Sequence, residues 1–252
     1  MRDTDSNKFV AALAIIATPF ALGAFLLAWA PAGQFAAEDP KYDGYVQPRS
    51  VSDVIAKAEL STVTVWCEIS EDDISQGTAW AIELENDLGD VYPTTLITNH
   101  HVIEDCIGGK GKVTVALPRQ DEQRAVIVKW DTENDLAVLA TKAKYPAFEL
   151  AESAPWAGYW VMAFGSADGY EGSVALGNVL NVSGNNLLIT NNVSHGNSGG
   201  PLIDNEGNVV GVTTWGAIDE QYNVAVSLDG FCAKILECEY EYKGDKTWWD
   251  YS

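Results

Sequence analysis

The chain has 252 residues and is 47% apolar, enough for one two-lobed domain with a substantial core and additional segments. Its formal net charge of −21 repels nucleic acid and anionic membrane surfaces and argues against both as partners of the soluble part. The four cysteines, Cys67, Cys106, Cys232 and Cys238, form no Cys-x-x-Cys or Cys/His cluster, so no zinc site and no other cofactor is expected.

Taken in order, residues 1–8 carry Arg2 and Lys8 and are followed by an uncharged run, residues 9–30. As a helix that run extends about 33 Å, long enough to cross a bilayer. The next basic residues are Lys41 and Arg49, so the basic bias puts residues 1–8 in the cytoplasm and the rest of the chain outside. A retained single-pass anchor is the expectation. A cleaved signal peptide, with secretion, is the alternative; Pro31 directly after Ala28-Trp29-Ala30 disfavours cleavage there. Residues 31–50, with recurring Pro, Gly, Asp and Gln, read as a linker. Residues 51–58 read as a short helix with Ser50 or Ser52 as its N-cap.

From residue 61 the pattern changes to short strands separated by Gly, Asp and Asn clusters. A first set covers residues 62–67, 78–84, 94–98, 112–117, 124–130 and 136–141. A second covers 159–163, 172–176, 179–182, 186–190, 201–204, 209–215 and 222–226, with a break between the sets near residues 142–155. Strands of this length and spacing predict a sandwich or barrels. Residues 228–236 read as a terminal helix. Residues 239–252, acidic and bearing Trp248, Trp249 and Tyr251, have no clear period.

The chemistry concentrates around Ser198, which sits among Gly196, Gly199 and Gly200 between two apolar segments. Glycine permits a tight turn and close backbone approach, so such a loop can bring a serine hydroxyl and bare N–H donors to one point. A serine nucleophile also needs a base. Gly196-x-Ser198-x-Gly200 fits the nucleophile elbow of α/β-hydrolases, but that fold places its histidine after the serine, and the only histidines here are His100, His101 and His195. A subtilisin-like order would need an aspartate before His101. Asp87 and Asp90 lie in a turn-like run, and neither opens a buried strand as Asp135 does.

Three segments carry a resemblance. Gly196-Asn197-Ser198-Gly199-Gly200-Pro201-Leu202 resembles the nucleophile loop of trypsin-like serine proteases, most of all their high-temperature-requirement branch. Thr98-Asn99-His100-His101-Val102 resembles the family's histidine motif, and Asp135-Leu136-Ala137-Val138-Leu139 its aspartate motif. Residues 76–82 are similar to the strand before the histidine, and the match covers about residues 60–230. The resemblance implies an all-β domain over residues 51–238, built as two six-stranded antiparallel β-barrels with a C-terminal helix and preceded here by the one N-terminal transmembrane helix. No peptide-binding module of that branch is expected after residue 238.

It also implies roles. Ser198 would be the nucleophile and His101, directly before Val102, the general base, with His100 as rival. Asp135 would orient His101, with Asp131 as rival, and Thr214 would support the aspartate. The N–H groups of Gly196 and Ser198 would form the oxyanion hole. Asn192 near the base of the specificity pocket, His195 at its entrance, and Thr214, Trp215 and Gly216 along its wall would bind substrate. No aspartate stands at residue 192, so Lys/Arg-directed cleavage is not expected, and a small or medium apolar side chain before the cut bond is. Many members join the strand before the histidine to the segment after it, which implies a Cys67–Cys106 disulfide and leaves Cys232 and Cys238 to pair locally; four free buried thiols are the alternative. A Cys232–Cys238 bridge requires the terminal helix to end before Cys238, because six helical residues rise about 9 Å. The implied activity is that of a serine endopeptidase outside the cytoplasm, acting on protein or peptide. A latent protease-like module that binds peptides or a partner protein is the alternative.

Overall fold

Six strands close into a barrel in the order β1-β2-β3-β6-β5-β4, and six more close in the order β10-β11-β12-β9-β8-β7. The structure is a computed structural model that describes residues 44–84, 88–89, 91–152, 154–216 and 222–231. The first barrel comprises β1 (Thr62–Ser70), β2 (Asp73–Ile82), β3 (Thr94–Thr98), β4 (Lys112–Ala116), β5 (Gln123–Asp131) and β6 (Leu136–Thr141). The second comprises β7 (Trp160–Gly165), β8 (Ser173–Ser183), β9 (Asn186–Ile189), β10 (Pro201–Ile203), β11 (Val209–Gly216) and β12 (Asn223–Ser227). All ladder pairings within the barrels are antiparallel. The two six-stranded barrels implied by the resemblance are therefore present.

Three strands differ most from the sequence reading: β1 runs on to Ser70, β2 begins at Asp73 and not at residue 78, and two expected strands are joined in β8. Residues 172–176 and 179–182 are a single strand, β8, and not two. Gly177 suggests a break but pairs with Val161, and the irregularity is a bulge between Val179 and Asn181. A bulge bends a strand without ending it. The merger brings the second set from seven strands to the six that close the barrel.

Strand period explains where the core lies. Along β1, Val63, Val65 and Cys67 point into the first barrel, joined there by Ala79, Leu96, Val115 and Leu139. On β3 and β6 the alternate residues Ile97, Leu136 and Val138 face the other way and pack with Trp80, Phe164, Leu202 and Val212. Every residue of β3 and β6 is buried. Both faces are covered, so these strands read as continuous apolar or Thr/Ala runs instead of alternating ones. Trp80 closes this second core, edge-on to Phe148 at 6.1 Å and tilted against Phe231 at 5.8 Å.

Helix α1 (Val51–Glu59) precedes the first barrel, and the Ser50 hydroxyl accepts from the Asp53 N–H at its start, so Ser50 is the N-cap. Residues 44–46, inside the expected linker, are already bound to the second barrel. The Gly44 carbonyl accepts from Trp160 N–H at 2.7 Å, Tyr45 meets Tyr159 edge-on at 4.8 Å, and the Val46 carbonyl accepts from the Asn205 amide. The C-terminal helix starts as expected, α3 being Leu228–Phe231 among the described residues. The expected anchor at residues 9–30, Cys232 and Cys238, and the tail 239–252 lie outside the described residues. No helix among the described residues is long and apolar enough to cross a membrane.

Candidate active site

The fold brings His101 and Asp135 together through one strand pair. β3 and β6 are antiparallel neighbours with Thr98 opposite Ala137. The residues just after β3 therefore stand beside those just before β6. His101 lies in the short helix α2 (His100–Ile103), and its own backbone N–H donates to Asp135 Oδ1 at 2.9 Å. Its ring Nδ1 is 2.7 Å from Asp135 Oδ2. Asp135 has φ +53, the left-handed region that aspartate enters more readily than most residues. The turn is supported by Asn99, whose amide donates to the Asp135 carbonyl at 2.6 Å.

Asp135 is partly buried, which by itself raises its pKa. The hydrogen bonds from the His101 ring, the His101 N–H and the Thr214 hydroxyl, with the charge of His101, outweigh that and hold the carboxyl below its ordinary value. The rivals sit elsewhere. His100 Nδ1 lies 3.8 Å from Glu104 Oε2. Asp131 accepts from the N–H groups of Glu133 and Asn134 and from the Asn134 amide, which shapes the turn before Asp135.

The second barrel supplies the other half. Ser198 precedes β10 and is positioned from both barrels. Its carbonyl accepts from Thr78 N–H of β2 at 2.8 Å, and its hydroxyl donates to the Thr214 carbonyl at 2.8 Å. Thr214 also donates its own hydroxyl to Asp135 Oδ2 at 2.7 Å. The β11–β12 register shifts between Thr213 and Trp215, leaving Thr214 as the extra residue of a bulge. A bulge re-aims a side chain, and here it gives Thr214 contacts to both Ser198 and Asp135.

The glycines of the loop are required by space. A Cβ on Gly196, at φ +93, would lie 2.1 Å from the Ser166 carbonyl oxygen. One on Gly200 would lie 2.0 Å from that of Phe164. The N–H groups of Gly196 and Ser198 donate to no acceptor among the described residues, while the neighbouring carbonyls of His195, Gly196 and Asn197 all accept.

Of the residues expected to contact substrate, Asn192 and His195 are exposed, and Gly216 pairs with Asn223 at the end of β11. The adjacent Asn191 is buried, its amide donating to the carbonyls of Val161 and Ala175. Four residues near the loop escaped the sequence reading: Asn99, Thr78, Ser166 and Asp168. Asn99 lies within the histidine motif and Thr78 within the strand of residues 76–82. Ser166 and Asp168 follow β7 with no local signal. The expected Cys67–Cys106 disulfide is present, tying β1 to the 3-10 segment Glu104–Gly109 that follows α2.

Residues 77–212 match the family model described as a trypsin-like peptidase domain. A probable periplasmic DegP-like serine endoprotease of Chlamydia trachomatis is 35% identical over 131 residues, 47% of this chain and 25% of that protein. An uncharacterized protein, y4bJ, of Sinorhizobium fredii is 39% identical over 134 residues, again 47% of this chain and 20% of that protein. The chain thus spans about a quarter or less of the length of these curated relatives. Among solved structures, the fold is shared with the active form of the Rv3671c protease from M. tuberculosis (TM-score 0.63, 23% identity, 79% of this chain and 91% of that one). It is shared also with a serine endoprotease from Yersinia pestis (TM-score 0.64, 24% identity, 76% of this chain and 67% of that one). With a family model covering residues 77–212 on a body of two six-stranded barrels, the chain belongs to the trypsin-like peptidase family of serine proteases.

Proposed function

We propose that the protein is an extracytoplasmic serine endopeptidase in which His101, Asp135 and Ser198 form the catalytic triad. The observation that carries this reading is the continuous line His101–Asp135–Thr214–Ser198, with its hydrogen bonds of 2.7, 2.7 and 2.8 Å. Asp135 on Nδ1 fixes the tautomer that leaves Nε2 of His101 as the base. In the proposed reaction the Ser198 hydroxyl exchanges the Thr214 carbonyl for that nitrogen as its acceptor. As Oγ bonds to the substrate carbonyl carbon, its proton passes to His101. The oxyanion is received by the N–H groups of Gly196 and Ser198. His101 then protonates the leaving amine as the C–N bond breaks, and water hydrolyses the acyl-enzyme by the reverse proton path.

The substrate is a protein or peptide held along the end of β11, at Trp215 and Gly216, as an added strand. With Asn192 where a trypsin-like pocket would carry an acid, the residue before the cut bond is small or medium and apolar. A peptide-library profile dominated by Arg would sink that assignment. The Cys67–Cys106 bridge, of a kind that persists in oxidising surroundings, and relatives named as periplasmic support a compartment outside the cytoplasm. The uncharged run 9–30 supports a membrane anchor, with a cleaved signal peptide and secretion as the alternative.

One observation favours a second reading, the latent peptide-binding module: the Ser198 hydroxyl is bonded to Thr214. Fluorophosphonate labelling of the full chain, beside Ser198→Ala and His101→Ala, separates the two. Labelling that requires both residues is the expected result. A folded chain that stays unlabelled overturns the peptidase reading in favour of the module.

A further inference from the structure

Three consecutive carbonyls around the proposed oxyanion hole are each held by a donor from another segment. The His195 carbonyl accepts from Asp168 N–H at 2.6 Å. The Gly196 carbonyl accepts from the Thr78 hydroxyl at 2.6 Å. The Asn197 carbonyl accepts from the Thr213 hydroxyl at 2.7 Å. The described residues contain no cis peptide, and a trans peptide points its N–H opposite its C=O. Holding the carbonyls of His195 and Asn197 therefore sets the directions of the Gly196 and Ser198 N–H groups. The Gly196 carbonyl lies between those two peptides and fixes the twist that relates them.

Thr78 is the junction of this arrangement. Its hydroxyl donates to Gly196 and accepts from Ser166 N–H at 3.1 Å, and its backbone N–H holds the Ser198 carbonyl. One side chain of the first barrel thereby joins the nucleophile loop to the turn after β7. Ser166, at the start of that turn, is anchored again by its hydroxyl, 2.5 Å from that of Thr64. Thr78, Thr213 and Ser166 are all buried, so water is poorly placed to replace a deleted hydroxyl.

We propose that Thr78 is a positioning residue: its hydroxyl, with the Asp168 N–H, locks the His195–Gly196–Asn197 peptides so that the oxyanion hole is assembled within the single chain. The inference rests on Ser198 acting as the nucleophile, as proposed above. It deepens that reading by assigning the geometry of the hole to a group that touches no substrate atom. A lock of this kind favours the oxyanion over the ground-state carbonyl, so its loss falls on kcat and leaves KM nearly unchanged.

The test uses the full chain, with the fluorophosphonate labelling rate and the kcat and KM of a peptide ester measured for the parent, Thr78→Val and Thr78→Ser. Valine keeps the shape and removes the hydroxyl; serine keeps the hydroxyl. The expected result is a fall of about 10²-fold in labelling rate and kcat for Thr78→Val, with KM changed less than about threefold and Thr78→Ser within about fivefold of the parent. Should Thr78→Val fail to fold, the exposed Asp168 gives the same answer. Asp168→Pro removes the N–H and cannot adopt φ +48, whereas Asp168→Gly keeps both. The proline variant is then slowed at least tenfold and the glycine variant restores the rate. A labelled parent with Thr78→Val or Asp168→Pro at the parental rate overturns this inference alone, as does a slowed Thr78→Val that serine does not restore. An unlabelled, folded parent overturns the peptidase reading and this inference with it.

Discussion

Thr214 and Asp135 meet in a 2.7 Å hydrogen bond that crosses from the second barrel to the first. The donor is a bulged residue of β11 and the acceptor precedes β6, so neither barrel alone makes this contact. A hydrogen bond to a charged group is worth about 1.5–3 kcal/mol, and this one helps fix the carboxylate that holds His101. Thr214→Val should lower kcat/KM about 10- to 100-fold while Thr214→Ser stays near the parent. Steady-state kinetics on a peptide ester decides it; equal rates in all three proteins would remove Thr214 from the site.

Asp135→Asn tests the partner. The amide preserves shape but no longer favours the His101 tautomer with a proton on Nδ1, and a drop of about 10⁴ in kcat is expected. Circular dichroism should be unchanged, since the side chain is partly exposed and lies at the rim of the first barrel. A variant retaining a tenth of the parental kcat would contradict the assignment.

The Cys67–Cys106 bridge closes a loop with a sequence separation of 39 and holds the segment after α2. Loop-closure entropy gives about 4 kcal/mol for a loop of that size. The double variant Cys67→Ala/Cys106→Ala should therefore unfold at a lower urea concentration, by about 3–4 kcal/mol in extrapolated stability, and should lose activity before secondary structure on warming. Urea titration followed by tryptophan fluorescence measures the first; activity and circular dichroism during the same temperature ramp measure the second.

Asp204 caps the turn between β10 and β11, accepting from the N–H groups of Glu206 and Asn208. Burial pushes its pKa up to about 6, more than those hydrogen bonds lower it. The folded form thus holds a proton that the unfolded form has released between about pH 4 and 6. Across that window Asp204 takes away stability as pH rises, and the loss is complete above about pH 6. Asp204→Asn keeps an acceptor for both N–H groups and removes the charge. It should flatten that limb and raise stability at pH 7 by roughly 1–3 kcal/mol. Urea midpoints at pH 4, 5, 6 and 7 check it, and an unchanged pH slope would refute it.

Much of the barrel pattern was legible because apolar alternation and turn residues are local properties. β3 and β6 occupy the residues their composition predicts, and α1 begins at one of its two expected caps, Ser50. The merger of two expected strands into β8 was not legible, because Gly177 looks the same in sequence whether it ends a strand or pairs across one. The candidate residues His101, Asp135 and Ser198 stand in motifs legible from residue type and order alone.

Distances between distant segments belong to the tertiary structure. The β3–β6 pairing puts Asp135 beside His101. A bulge whose register appears only in the β11–β12 pairing re-aims Thr214. Packing against the second barrel puts Thr78, an ordinary threonine of β2, in contact with both Gly196 and Ser166. By itself the sequence determined which groups are available to react and which strands can form, since composition and period are written along the chain. Which groups touch was decided only when two closed barrels fixed the relative positions of residues as far apart as Thr78 and Gly196, 118 positions along the chain.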